Sequence, residues 1–248
     1  MRKYNIYATL LDTFQNYLDS DKIYSRYWGN SEDPPHTPKE FEQLQYQVVL
    51  DRINRVPFES EAADRGTCFN EIIDCIIERR KSDKMELLST DTTIVAKYNN
   101  KEFVFMRKQL SEIATTYSSA VTQILCSGVL KFDDIEINLY GYIDELFFSK
   151  VVDIKTTSRA PQAFAFRDHW QHRVYPYCLN EMGAKIETFE YHHYVLNEQN
   201  NITAFVIEPY PIDLDRIKSD LINICTLFTQ FIELNKEKIT DKKIFNLI

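Results

Sequence analysis

The stretch from Glu136 to Thr156 most limits how this chain can fold. It reads as two β-runs, 136 to 148 and 150 to 156, joined by a short polar turn near Ser149-Lys150. Each run carries acid. The first holds Gly141-Tyr142-Ile143-Asp144 and the second Asp153-Ile154-Lys155-Thr156-Thr157. Strand side chains alternate with period two, so Asp153 and Lys155 share a face while Ile154 points to the other. Antiparallel pairing of the runs brings Asp144 alongside them. An Asp set among Val151, Val152 and Ile154 meets a desolvation cost that a metal or a cation would offset. Two carboxylates beside an ammonium form a hard-oxygen site suited to Mg2+ or Mn2+; the bland reading of the same residues is a surface ion pair.

Around this pair the pattern mixes helix and strand. Residues 5 to 19 are apolar at 7, 10, 11, 14, 17 and 18, a helical period. Segment 28 to 38, with Gly29, Pro34, Pro35 and Pro38, is a loop. It leads into a helix with Thr37 as cap and Pro38 at the first position. Pro57 and the polar stretch to Arg65 interrupt again, and a third helix is expected from Thr67 to Lys81. Thr93 to Tyr98 and Glu102 to Phe105 flank a hairpin turn at Asn99-Asn100, with 103 to 121 open to a return to helix. Val121 to Leu130 and Ile135 to Phe148 are strand-rich. A helix is expected from Pro161 to Glu181 with Gly183 as its cap, and Pro176 inside it predicts a kink or an end just after Tyr175. Strands 187 to 196 and 202 to 208 follow, then a helix over 213 to 237 with one apolar stripe. One domain over 1–248 is expected: a mainly helical N-terminal segment, 1–90, a sheet core, 91–210, that includes the helix 161–181, and a C-terminal helical segment, 211–248.

The 248 residues are 44% hydrophobic and 13% aromatic, enough for a substantial core. No apolar run reaches membrane-span length, and Met1-Arg2-Lys3-Tyr4-Asn5 lacks the apolar core of a signal peptide, so a soluble cytoplasmic protein is expected. A net charge of -8 opposes tight non-specific binding of a polyanion. Between 154 and 180, however, Lys155, Arg159, Arg167 and Arg173 are set against only Asp168, with His169 and His172 nearby. A locally basic helix beside the acids is therefore expected.

A third element, Gln171-His172-Arg173-Val174-Tyr175, begins sixteen residues after Lys155. With it the pattern resembles the PD-(D/E)XK nuclease superfamily, and within it the RecB-like and lambda-exonuclease-like branch, where G-x-h-D, D-h-K-T and a helix with Q-x-x-x-Y come in that order. The resemblance implies an α/β (α+β) fold with a restriction-endonuclease-like mixed β-sheet core flanked by helices. It implies that Asp144 and Asp153 hold Mg2+ (or Mn2+) together with the main-chain carbonyl of Ile154, and that Asp144, Asp153, Lys155, Gln171 and Tyr175 form the catalytic set. Two nearby carboxylates favour the charged form of Lys155, so it is expected to orient water and stabilise charge on phosphorus rather than act as base. Gln171 and Tyr175, at i and i+4, share a helix face and can reach one phosphate or the lysine; for Tyr175, packing on the sheet is an equally open reading.

Upstream, Gly66-Thr67-Cys68-Phe69-Asn70-Glu71 resembles the branch's G-T-x-x-H helix motif, with Asn70 where the family has His. Glu71 then becomes the candidate for the missing metal ligand, with Asp74 one turn beyond Asn70; that these residues simply face solvent is the other reading. Some relatives hold an iron–sulfur cluster on one early and three clustered late cysteines. Here the five cysteines are scattered singly, so no iron–sulfur cluster is expected.

The activity implied is Mg2+-dependent hydrolysis of DNA phosphodiester bonds, an exonuclease in recombination, repair or phage DNA processing, giving a 5′-phosphate and a 3′-hydroxyl. DNA is the implied partner, with a helicase or a single-strand-annealing protein as a further one, and no membrane. The competing reading is a catalytically inactive nucleic-acid-binding or assembly module of the same fold, motivated by Asn70 and the acidic surface. A structural subunit of a helicase–nuclease complex is a third.

Overall fold

The computed structural model describes residues 1–245. In chain order its elements are β1 (Arg2–Tyr7), α1 (Ala8–Leu18), α2 (Ser20–Trp28), α3 (Pro38–Ile53), α4 (Glu61–Glu78), β2 (Glu86–Ser89), β3 (Thr93–Tyr98), β4 (Lys101–Met106), α5 (Arg107–Thr116), β5 (Val121–Phe132), β6 (Ile135–Leu146), β7 (Lys150–Thr157), α6 (Gln171–Glu181), β8 (Thr188–Leu196), β9 (Ile202–Pro211) and α7 (Leu214–Leu234), followed by two short 3-10 turns. A six-stranded mixed sheet flanked by helices forms the centre, and β2, β3 and β4 make a small antiparallel sheet beside it.

The course of β6 decides the shape of the large sheet. Along one side it pairs antiparallel with β5. On the other side its first half, Ile135 to Tyr140, pairs in parallel with β1, whereas Glu145 and Leu146 pair antiparallel with Val152 and Val151 of β7. Between these partners, residues 141–144 have none on that side, so the sheet forks there. Beyond β7 come β8, parallel, and β9, antiparallel.

Each face of the sheet has its own core. Val151, Phe189 and Tyr191 pack with α1, α6 and α7. Val152, Ile154, Tyr194 and Leu196 pack with α4, α5 and the small sheet. A strand covered on both faces reads as a continuous apolar run, which is why β7 and β8 stand out in the sequence.

Several boundaries differ from expectation. Residues 5 to 7 belong to β1 rather than to a first helix. Tyr4 and Ile6 alternate inward, and the partners of β1 lie more than a hundred positions away, as the bond between Arg2 and Asp134 illustrates. With β1 and β2 inside it, the segment 1–90 is less uniformly helical than its periodicity indicates. The third helix starts at Glu61, not Thr67, because Ser60 caps it by accepting from the Ala63 N–H, with Glu61 and Asp64 in its first turn at the positive end of the helix dipole.

The motif helix starts at Gln171, not Pro161, so the basic residues Arg159 and Arg167 lie on turns rather than on a helix. Nor does Pro176 end it: α6 continues to Glu181. Val174, Tyr175, Tyr177, Cys178 and Leu179 are buried, and this packing outweighs the one main-chain hydrogen bond that proline removes. Gly183, with φ 88°, caps the end as expected. The C-terminal helix closes at Leu234, and the last three residues of the segment 211–248 lie outside those described.

Candidate active site at the fork of the sheet

The register that pairs Glu145 with Val152 sets Asp144 across from Asp153 at the mouth of the fork. The inward phase of β6 slips by one residue here. Ile137, Leu139 and Ile143 face the α6 side, while Glu145, also odd-numbered, lies opposite Val152 of the α4-side core. Opposite Asp144, Gln123 of β5 takes φ 49° and the two drop out of the ladder. That irregularity turns the Asp144 carboxylate toward β7, where its Oδ2 accepts the Ile154 N–H at 2.9 Å.

Four further groups converge on the acids. Asn70 of α4 places its Nδ2 3.3 Å from Asp144 Oδ2 and 3.5 Å from the Ile154 carbonyl oxygen. Lys155 Nζ pairs with Asp153 Oδ2 at 2.6 Å. Gln171 Nε2 donates to Asp153 Oδ1 at 2.6 Å and to the Tyr175 hydroxyl at 3.2 Å. The Tyr175 ring in turn lies against Gly141, where a Cβ would come within 2.5 Å of Cε1. The glycine of the first motif and the tyrosine of the third are thus in contact, and only glycine leaves room for it.

Electrostatics follow from burial. Desolvation first, then the Asp153 charge, pushes the Asp144 carboxyl up to about 7. For Lys155, burial alone would favour the neutral amine, but Asp153 and Asp144 outweigh it and hold the group above its ordinary value. The ammonium is therefore charged at neutral pH.

Asp144, Asp153, Lys155, Gln171, Tyr175 and the Ile154 carbonyl are brought together; Glu71 is not. Its carboxylate is buried against Arg80 at 2.6 Å and Lys84 at 2.9 Å. Burial alone would raise its pKa, yet these partners hold it down to about 2. The correction has a simple cause. Successive helical residues diverge by about 100°, so with Asn70 on β7, Glu71 is turned to the loop after α4. The alternative, that both residues simply face solvent, fails as well, since Glu71 is buried and Asn70 meets Asp144.

Glu145 went unread in the sequence, and Asp74 was read only as a neighbour of Asn70. Asp74 and Glu145 are buried, and desolvation, reinforced by the neighbouring acids, pushes them up to about 7 and about 9. Both Glu145 oxygens lack a hydrogen-bond partner. A signal was present: two adjacent acids in a strand covered on both faces must bury at least one. Asp12 of α1 accepts the Trp170 N–H at 2.5 Å and so pins the start of α6. His192 and His193, adjacent on β8, face opposite ways, toward Tyr117 and Glu208. His172 is buried with its ring stacked on Tyr210, and burial keeps it neutral.

Among the described residues no three His, Cys, Asp or Glu side chains converge as a metal site; the oxygens at the fork are two carboxylates, a main-chain carbonyl and the Asn70 amide. No helix among the described residues is long and apolar enough to cross a membrane.

No protein-family model matches this chain, and no curated protein matches it by sequence. Among solved structures it is similar to the crystal structure of SSO0001, at 14% identity and a TM-score of 0.44, over 92% of this chain and 78% of the other. The likeness is distant.

Proposed function

We propose that this chain is a metal-dependent nuclease that hydrolyses DNA phosphodiester bonds, working in the cytoplasm as an exonuclease in recombination, repair or phage DNA processing, with a helicase or single-strand-annealing protein as partner. One observation carries the reading: two carboxylates in register across the fork, one pushed up to about 7 by burial and by the other, beside a charged lysine. A repulsive acid pair of this kind is retained where a cation offsets it.

The residues fit Mg2+ or Mn2+. Asp144, Asp153 and the Ile154 carbonyl supply hard oxygens, with Asp153 Oδ2 paired to the Lys155 ammonium at 2.6 Å. A flip of the Asn70 amide would present its oxygen where its nitrogen now meets Asp144 Oδ2 and the Ile154 carbonyl. When bound, the metal would polarise the scissile phosphate and lower the pKa of water.

The chain's own groups do the rest. Lys155, held protonated, cannot take a proton; it orients the attacking water and stabilises charge developing on a phosphate oxygen. Gln171 fixes the Asp153 carboxylate, and Tyr175 fixes Gln171, so this pair positions a ligand rather than reaching for phosphate. Where Asp12 meets the start of α6, an open cleft of about 630 Å³ is lined by Lys22, Arg26, Arg167 and Arg173 among acids that include Asp12, Asp19 and Asp168. Three of these cations are paired, Lys22 with Asp19, Arg167 with Asp168 and Arg173 with Asp220, so a phosphate backbone would compete with acids for them.

End-labelled linear and closed circular DNA, incubated with Mg2+, Mn2+ or chelator, test the reading. Metal-dependent loss of the linear substrate alone is expected; cutting of the circle makes the protein an endonuclease. The absence of cleavage under all conditions favours the second reading, an inactive nucleic-acid-binding or assembly module. The Asn70 amide, a neutral donor seated between two prospective ligand oxygens, speaks for that one.

A further inference from the structure

The fork continues away from the acids into a cavity of about 350 Å³ lined by Tyr7, Arg55, Tyr140, Gly141, Tyr142 and Tyr175. We infer that this cavity is a subsite for one unstacked nucleobase of a single-stranded end, the nucleotide beside the bond to be cut. The inference rests on the nuclease reading for its setting, but its geometry stands independently.

Four tyrosines around one cavity is an unusual lining for a chain whose other large aromatics are mostly buried. Tyr7 and Tyr140 are register partners where β1 leaves β6, with ring centroids 6.0 Å apart. The Tyr7 hydroxyl donates to the Arg52 carbonyl at 3.3 Å, which fixes that ring. Tyr142 lies two residues beyond Tyr140, on the same strand face, and is 58% exposed.

Residues two apart on a strand are separated by about 6.8 Å, twice the roughly 3.4 Å thickness of a stacked base. That spacing admits one base between Tyr140 and Tyr142. The volume lies at the lower end of the roughly 300–1,000 Å³ range of ligand pockets, room for one nucleoside and not for a base pair in a duplex.

Arg55 supplies the charge. Its Nε is held by Asp241 at 3.0 Å and its Nη2 by the Tyr140 hydroxyl at 3.3 Å. A guanidinium has five N–H donors, so others remain for a backbone phosphate. Tyr175 closes the far wall and touches both Gly141 and Gln171, so a base seated here lies one side chain away from Asp153. Aromatic faces beside a cation are the common device for holding single strands without reading their sequence.

The test is fluorescence anisotropy of a short labelled oligonucleotide in chelator, with single-stranded DNA, single-stranded RNA and blunt duplex DNA of one sequence as arms. In whichever single-stranded polymer binds more tightly, Tyr142→Ala and Tyr140→Ala are expected to weaken binding about tenfold or more. Tyr142→Phe, which keeps the ring, stays within about twofold of the wild type, and duplex binding is unchanged. Arg55→Gln is expected to lower the salt dependence by about one phosphate contact. Thermal melts confirm folding, and the exposure of Tyr142 makes its variants safe.

Single-strand binding that ignores both rings, or no single-strand binding at all, overturns the subsite; if metal-dependent cleavage persists, the nuclease reading survives it. Ring-dependent binding by a protein that cleaves nothing supports the subsite and ends the nuclease reading instead.

Discussion

Asp144→Asn removes a charge from the fork while keeping its shape. The new amide oxygen can accept from the Ile154 N–H, as Asp144 Oδ2 now does at 2.9 Å, and Gln123, 3.5 Å from the other oxygen, can turn its own amide to accept from the new NH2. The native carboxyl is pushed up to about 7 against about 3.9 in an unfolded chain. Between those values the folded protein keeps a proton that the unfolded chain has released, so stability falls as pH rises through this window and stays low above it. The cost to the wild type is small at pH 5 and grows to a few kcal/mol at pH 8, at about 1.4 kcal/mol per unit.

The Asn variant escapes this cost. In chelator at pH 8 it is expected to melt roughly 10 °C above the wild type, with the gap shrinking at pH 5. Millimolar Mg2+ should narrow the gap by stabilising the wild type, by about 2.7 kcal/mol if the ion is present at a hundred times its Kd, and do little for the variant. Melting followed by circular dichroism at both pH values, with and without Mg2+, measures all four quantities. An Asn variant less stable than the wild type at pH 8 in chelator would refute the account of a repulsive acid pair. Equal Mg2+ stabilisation of both proteins would remove Asp144 from the ligand set.

Asp153→Ala should abolish cleavage with the fold intact, and Lys155→Ala should slow it while sparing metal binding; calorimetric metal titration beside the DNA assay separates the two, and the opposite ranking reverses the roles. Gly141→Ala drives a methyl into the Tyr175 ring and is expected to cost about 1–3 kcal/mol, read by denaturant melts, with cleavage reduced through displaced Gln171. Glu71→Gln breaks a buried ion pair and should cost about 3 kcal/mol or more at pH 7. That stability is present above the ordinary Glu value and lost as pH falls toward about 2; a loss of metal affinity without a loss of stability would restore Glu71 as a ligand. Asn70→His should leave cleavage unchanged or raise it, and a drop in the same assay would show that the amide itself is needed.

Elements encoded by neighbouring residues were legible. Thr37 and Glu40 form a reciprocal capping box at the start of α3, and Asn99 and Asn100 both adopt positive φ in the β3–β4 turn, because each instruction lies within a few positions. β1 was not, since six residues acquire a strand only through a partner across the sheet. The start of α6 was misplaced for the same reason: the anchor for the Trp170 N–H is Asp12, 158 positions away. Pro176 misled in the other direction, a local rule overridden by burial.

For the candidate site, amino-acid order alone determines the inventory: the acids at 144 and 153, the lysine two residues on, the Gln171/Tyr175 spacing, and the alternation that puts Asp153 and Lys155 on one face. Tertiary structure decides which of these meet and in what electrical state. It forks the sheet at Gly141 to Asp144, slips the phase of β6, turns Asn70 into the cleft and commits Glu71 to Arg80. Register, burial and charge pairing are properties of packed layers: Asn70 and Asp144 are 74 positions apart, and a pKa moves only when the surrounding chain has displaced the water.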